Sequence, residues 1–415
     1  MKRMILFLML SLLLLTGCNT PTPPVLAVTP AATLAAAPAN TPVIENTPTA
    51  SQPSPQPTEP QAVQMADTAT SAPARGAWIA YIGLDGNVWL VDPLSGQQRQ
   101  VTSEAASLSP LGSQQAAVFS NPRWSSDGQL LAFTRQLQIP LPDRMSYENS
   151  LWVYSPAAEQ GHIVLEKVDF VGYDWQPGKH LLAFAQGTDP NYFTGRAEND
   201  AQKAIGIHGL DVDSGELVEL VAPGHGLHLV NPHWTPDGSR LCFEEVAYME
   251  GRGPFACFDF TTSQYLAWEK AIGAVSFAPN SQQMAYDYLN YMPSGEERIY
   301  LNTLQGSAEQ ALAPQFPTGY TTTPAFSPQG DQIAYTGQFF ENNTASSKVF
   351  VQGLQDGQLR EIGQFEEPAW LSWSPDGQHL LLATGPYGSN QIILVETASG
   401  EVQPLAQGIS PVWQP

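Results

Sequence analysis

Asn231-Pro232-His233-Trp234-Thr235-Pro236-Asp237-Gly238-Ser239-Arg240-Leu241-Cys242-Phe243 reads as a short strand, a tight turn and a second strand. Proline suits the second position of such a turn, and Asp and Gly tolerate the positive φ that follows. Variants of this stretch recur along the chain. Their first-strand aromatics are Trp124, Trp175, Trp234, Phe277, Phe326, Trp373 and Trp413. The intervals range from 40 residues (Trp373 to Trp413) to 59 (Trp175 to Trp234). Periods of that length mark a structural repeat.

Turns follow the first six aromatics, as in Ser126-Asp127-Gly128, Ser327-Pro328-Gln329-Gly330 and Ser374-Pro375-Asp376-Gly377. Second strands follow the turns, such as Leu130-Leu131-Ala132-Phe133 and Leu181-Leu182-Ala183-Phe184. A third strand (Leu151-Trp152-Val153-Tyr154) and a weaker fourth (Glu216 to Val221) complete each unit. Four short antiparallel strands per unit, with no helical period, predict the blade of a β-propeller.

Pro-x-Trp-Ser-Pro-Asp-Gly-x-x-Leu/Ile-Ala-Phe/Tyr resembles the WD40-like (PD40) repeat of TolB propellers. The resemblance runs over 75–415, about four-fifths of the chain. The Trp-Asp ending of true WD40 repeats is missing, and so is the N-terminal α/β domain of TolB itself. The resemblance therefore implies a fold and not the TolB role.

Two fragments remain outside the complete units. The chain ends in Ser410-Pro411-Val412-Trp413-Gln414-Pro415, a first strand. The repeat region begins Ala77-Trp78-Ile79-Ala80-Tyr81, a second strand without its first. Pairing them predicts an all-β, seven-bladed β-propeller closed by its C-terminal strand on its N-terminal blade. Closure removes open sheet edges.

The N-terminus reads differently. Lys2 and Arg3 precede an apolar run from Met4 to Leu15, too short to span a bilayer. Leu15-Thr16-Gly17-Cys18 resembles the bacterial lipobox, which implies a lipoprotein signal peptide over 1–17 and lipidation of Cys18. That placement implies an extracytoplasmic protein anchored to a membrane, the membrane and leaflet left open. Residues 18–74 are rich in Pro, Thr, Ala, Ser and Gln and lack Lys and Arg before Arg75. Such a segment buries too little apolar surface to offset its ordering entropy, so a disordered tether is expected. Its fully extended reach is on the order of 170 Å.

The chain carries 17 Lys+Arg against 39 Asp+Glu, a net charge of −22. That excludes a nucleic-acid face, which must be basic. No cofactor is expected, and no phosphate-cradling loop occurs; no Gly-x-Ser-x-Gly nucleophile elbow occurs either. The hydrolase that follows similar propellers in prolyl-peptidase-like enzymes is likewise not expected. A monomer is the expected state.

Propeller geometry puts the first-to-second and third-to-fourth turns on one face, and here those are short. The connections on the other face read as long loops: Gln136 to Asn149, Gly187 to Lys203, Val246 to Gly253, Tyr288 to Glu297 and Gly337 to Ser347. They and the nearby loops carry the candidate binding face: Tyr147, Tyr192, Phe193, Tyr248, Tyr291, Phe339, Phe340 and Tyr387. Function commonly rides on long loops held by a rigid scaffold, and aromatics are enriched at interfaces. The same rings suit plain packing of loops onto blade tops. A protein, peptide or glycan partner fits the first reading.

Three of seven histidines, His225, His228 and His233, crowd one connection and are weak candidates for a metal site. Oligogalacturonate lyases have similar propellers with a metal-binding histidine cluster. That resemblance implies an alternative function, an extracytoplasmic enzyme acting on polysaccharide. Against it, a polyanionic substrate suits this acidic chain poorly. Cys242 and Cys257 fall on neighbouring strands of one blade, close to opposite one another. A disulfide and two buried thiols both fit there.

Overall fold

A computed structural model describes residues 77–415 apart from 106, 109–114, 167–168, 188–205, 224–226, 247–252, 269, 271, 291–295, 307, 313–318 and 342–343. The expected signal peptide, the lipidated Cys18 and the tether lie outside the described residues. Every regular element among those described is a β-strand, and together they form a β-propeller.

The N-terminal strands are β1 (Ile79–Gly83), β2 (Val88–Val91) and β3 (Gln98–Gln100). Five four-stranded sheets follow in chain order. The first holds β4 (Ala116–Trp124), β5 (Leu131–Pro140), β6 (Met145–Ser155) and β7 (Gln160–Glu166). The second holds β8 (Asp169–Trp175), β9 (Leu181–Gly187), β10 (Ile207–Asp211) and β11 (Leu217–Val221). The third holds β12 (His228–Trp234), β13 (Arg240–Val246), β14 (Phe255–Asp259) and β15 (Gln264–Trp268). The fourth holds β16 (Val275–Phe277), β17 (Gln283–Asn290), β18 (Glu296–Thr303) and β19 (Gln310–Ala311). The fifth holds β20 (Gly319–Phe326), β21 (Gln332–Glu341), β22 (Thr344–Gly353) and β23 (Leu359–Gln364).

The last strands are β24 (Ala369–Trp373), β25 (His379–Thr384), β26 (Gln391–Glu396) and β27 (Val402–Trp413). They join the N-terminal strands in one sheet of order β24-β25-β26-β27-β1-β2-β3. The first half of β27 pairs with β26 (Val395↔Val402), and its second half pairs with β1 (Ile79↔Trp413, Ala80↔Val412). One strand is thus the outer edge of one four-stranded unit and the inner edge of the next.

The apolar core is divided, because each twisted unit buries both faces against its neighbours. Each gap between consecutive units holds a cluster. The gap between the two units that share β27 holds Ile79, Tyr81, Leu381, Leu394 and Trp413. The repeat tryptophans Trp124, Trp175, Trp234, Trp373 and Trp413 are all buried. Three of their indoles donate to the preceding unit, always to the residue before that unit's own aromatic. Trp124 Nε1 donates to the Val412 carbonyl at 3.3 Å, Trp175 Nε1 to Arg123 at 3.1 Å and Trp373 Nε1 to Ala325 at 2.9 Å. Buried indoles seek such an acceptor, so the repeat tryptophan is both core and register pin.

The short-turn face is tied together similarly. Where the aromatic is followed by Ser or Thr, that hydroxyl bonds the turn carboxylate, as in Ser125–Asp127 (2.6 Å) and Thr235–Asp237 (2.7 Å). Where Gln follows, the amide reaches the next unit's turn. Gln176 Nε2 donates to the Gly238 carbonyl (3.1 Å) and Gln414 Nε2 to that of Gly128 (2.6 Å). Gln414 Oε1 also accepts from Trp78 N (2.8 Å), so both chain ends of the described unit meet on this face.

On the opposite face, three segments that read as loops are sheet over their described residues. β5 and β6 stay paired out to Pro140↔Met145, β17 and β18 out to Asn290↔Glu296, and β21 and β22 out to Glu341↔Thr344. The alternation in Arg135-Gln136-Leu137-Gln138-Ile139 has the period of a strand, and cross-strand pairing satisfies its backbone.

The hairpin face and the channel as candidate functional site

Each inner strand turns its edge to the central channel, and most carry the same irregularity. Pairing slips by a residue just before the aromatic in β4, β8, β12, β20, β24 and the second half of β27. Three residues before each of those aromatics the backbone is left-handed: Asn121, Gly172, Asn231, Thr323, Trp370 and Ser410 have φ from 51° to 94°. Such bulges bend a strand and re-aim its side chains. Asn and Gly tolerate this conformation, whereas a bulky residue is an outlier there. These positions neighbour one another around the ring. A Cβ added at Gly172 would lie 2.8 Å from Asn231 Cα in the next unit.

One residue before the aromatic, three consecutive units contribute Arg123, Asp174 and His233. Arg123 Nη1 contacts Asp174 Oδ1 at 3.3 Å, and Trp234 N donates to Asp174 Oδ2 at 2.9 Å. Burial raises the Asp174 carboxyl above its ordinary range, against the pull of Arg123 and the N–H groups of Trp234 and Trp175. Burial also pushes the His233 imidazole down to about 3, and the Arg123 guanidinium adds to that. His233 is thus neutral beside the Arg123 guanidinium. The equivalent positions Ser276, Ala325 and Ser372 are uncharged and line a cavity of about 510 Å3. The channel is charged on one side and small and uncharged on the other.

The sequence-predicted face divides. Tyr147, Phe340 and Tyr387 are exposed, at 54%, 47% and 63%. Tyr147 and Phe340 ride on the extended hairpins, opposite Gln138 and Ala345. Phe339 is the exception. It is buried and packs edge-on against Phe350, centroids 5.8 Å apart, so it belongs to the core between two units. Alternation along β21 sends neighbouring phenylalanines to opposite sides. Tyr192, Phe193, Tyr248 and Tyr291 lie outside the described residues.

The histidines do not converge on a metal site among the described residues. His225 lies outside them, His228 is buried at 2% exposure, and His233 faces the channel beside Arg123, whose charge opposes a cation. No group of three or more His, Cys, Asp or Glu side chains among the described residues could hold an ion. Cys242 and Cys257 stand directly opposite in register and are bonded, Sγ–Sγ 1.95 Å, inside the core between the third and fourth four-stranded sheets.

Three features escaped the sequence reading: the Arg123–Asp174–His233 set, Tyr320 and Trp370. Aligning the repeats on the aromatic and reading the columns before it displays the first and the last. Tyr320 is the second residue of β20, on the hairpin face, 36% exposed and tilted against Phe340 at 6.2 Å. Its hydroxyl donates to Gln338 Oε1.

No protein-family model matches the chain, and no curated protein matches its sequence. Solved structures do align with it. An oligogalacturonate lyase in complex with manganese aligns with TM-score 0.56 and 11% identity, over 80% of this chain and 84% of that one. The β-propeller domain of the Trilobed protease from Pyrococcus furiosus, described as having an open velcro topology, aligns with TM-score 0.50 and 14% identity, over 70% and 84%. TolB from Acinetobacter baumannii aligns with TM-score 0.44 and 16% identity, over 72% and 83%. At these identities the likeness is one of fold: the chain is a β-propeller similar to propellers with different roles.

Proposed function

We propose that this chain is a non-catalytic, surface-anchored lipoprotein whose propeller binds an extracellular partner, protein, peptide or glycan, through its hairpin face. Lipidation at Cys18 and an extracytoplasmic location follow from the sequence pattern alone. The observation that supports the binding role is the exposure of Tyr147, Phe340 and Tyr387 on one face, two of them on paired hairpins that extend beyond the blades. Large exposed rings on a rigid support bury much area at little entropic cost. The propeller's own N-terminus starts on the opposite face, where Trp78 bonds Gln414.

The test is a crosslinking capture from the native envelope with wild type and a Tyr147→Ala/Phe340→Ala/Tyr387→Ala variant. We expect at least a tenfold loss of the captured partner, the usual weight of a few central aromatics. Equal recovery by both would sink this face as the binding surface.

The Arg123–Asp174–His233 set favours a second reading, an enzyme on polysaccharide. A carboxyl of raised pKa and a neutral imidazole on adjacent inner strands are the ingredients of an acid–base pair. Both Asp174 oxygens, however, already serve neighbouring strands. An Asp174→Asn variant separates the readings: a structural role lowers the melting temperature, whereas a catalytic role abolishes turnover of a polysaccharide panel.

A further inference from the structure

The six left-handed positions of the inner strands hold Asn, Gly, Asn, Thr, Trp and Ser. Five of these are small or suited to a bulge. The sixth, Trp370, has φ 54° and is 41% exposed. A large L side chain in this conformation costs backbone energy that Asn or Gly would not. Burial does not repay it, since the ring belongs to none of the core clusters between units. Its indole N–H has no hydrogen-bond partner among the described residues. Strain that packing does not explain is a pointer to function.

The surroundings suggest what such a ring would meet. Two residues before it, Pro368 lines a cavity of about 240 Å3 between the fifth four-stranded sheet and the β24 unit. Tyr320, Gln338, Ser347 and Glu367 line the same cavity, and no lysine or arginine does. Hydroxyls, an amide, a carboxylate and the ring of Tyr320, without a cation and with the exposed Trp370 two residues from the rim, suit a ligand that is polar at its edges, apolar on its faces and not anionic. The net charge of −22 also disfavours an anion.

We propose that Trp370 is the stacking platform of a subsite for a neutral glycan chain, with Tyr320, Gln338, Ser347 and Glu367 receiving its hydroxyl groups. The C–H face of a pyranose would lie on the indole, which Trp provides at low side-chain entropy cost. The inference rests on the binding role above and names its ligand class.

The experiment titrates the full mature chain with neutral hexasaccharides (cellohexaose, xylohexaose and mannohexaose). Tetragalacturonate and a synthetic peptide of residues 47–57 serve as anionic and proline-rich probes. Calorimetry and tryptophan fluorescence are the readouts. At least one neutral hexasaccharide is expected to bind saturably. Trp370→Asn, which installs the residue found at 121 and 231, is expected to weaken that binding about tenfold or more while the melting temperature holds or rises. Trp370→Phe should retain part of the affinity, and Leu217→Ser, on the outer strand β11, all of it. Three results overturn the proposal: no saturable neutral sugar, equal affinity in Trp370→Asn, or Trp370-dependent binding of the anionic or peptide probe instead. If envelope capture still depends on Tyr147, Phe340 and Tyr387 while no sugar binds, only the glycan assignment falls. If both fail, the binding role falls with it.

Discussion

Closure of the ring can be tested one side chain at a time at Gln414. Its Oε1 accepts from Trp78 N at 2.8 Å, and its Nε2 donates to the Gly128 carbonyl at 2.6 Å. Gln414→Ala removes both and leaves the backbone bond from Gln414 N to the Trp78 carbonyl (2.8 Å) in place. At about 1 kcal/mol per bond, plus a share of the cost of an unpaired Trp78 N–H, the loss is about 2–3 kcal/mol. An unfolding entropy of about 2.1 cal/mol/K per residue, over the roughly 340 residues from 77 onward, gives about 0.7 kcal/mol/K. The melting temperature should therefore fall by about 3–4 °C. Deleting Ser410–Pro415 removes more: the buried Trp413, its pairing with Ile79, and the Val412 carbonyl that accepts from Trp124. Loss of a buried tryptophan alone costs about 3–5 kcal/mol. With the ladder bonds the total approaches the whole net stability of a domain, about 5–15 kcal/mol. The assay is thermal unfolding by circular dichroism, with light scattering to follow association through the bared β1 edge. A truncated chain that stays monomeric and melts within 2 °C of wild type (about 1.4 kcal/mol) would refute the reasoning.

Two further predictions concern linkage. Cys242 and Cys257 are both at most 1% exposed and close a loop of sequence separation 15, which constrains the unfolded chain by about 3 kcal/mol. A Cys242→Ala/Cys257→Ala variant should melt about 4 °C lower, and an unchanged melt would deny the bond a stabilising role. His180 contacts Asp213 (Nδ1–Oδ2 2.9 Å) and Asp127 (Nε2–Oδ2 3.1 Å). Burial alone would lower its pKa, but the hydrogen bonds and charges of both carboxylates outweigh burial and raise it above the usual 6.5 or so. A raised imidazole pKa stabilises the fold fully below about pH 6.5, and that contribution is lost as pH rises through the folded value. The melting temperature should decline over that window in wild type and not in His180→Gln; identical pH profiles would contradict the assignment.

The sequence made the repeat, the Asp-Gly turns and the closing strand legible, because each depends on local chemistry repeated at fixed offsets. The aromatic at the end of each inner strand and the turn after it specify a hairpin without help from elsewhere. The hairpin face was less legible. Gln136 to Asn149 carries proline and glutamine, which suggest a loop, yet its alternation sustains pairing to Met145. Phe339 and Phe340 are adjacent and chemically equal, and only the register of β21 against β22 decides which is buried. Trp370 was hidden by the repeat itself, since Trp373 takes the role of the blade tryptophan. Its position acquires meaning only beside Asn121, Asn231 and Ser410, in a conformation that sequence does not display. The Arg123–Asp174 contact joins residues 51 apart and arises from ring geometry, not from spacing.

The shared strand β27 also sets a load path. With the proposed lipid anchor in a membrane, any pull between that membrane and a captured partner enters the propeller at Trp78. It passes to β1 and then to the pairing of β1 with β27. The second, third and fourth four-stranded sheets, β8 to β19, lie off that path, because none contains a strand from either end of the described unit or carries Tyr147, Phe340 or Tyr387. The ring should therefore yield at its clasp before those sheets unravel. A yielded clasp could re-form from the same two strands once tension is released, so the fold would behave as a resettable mechanical fuse between anchor and cargo.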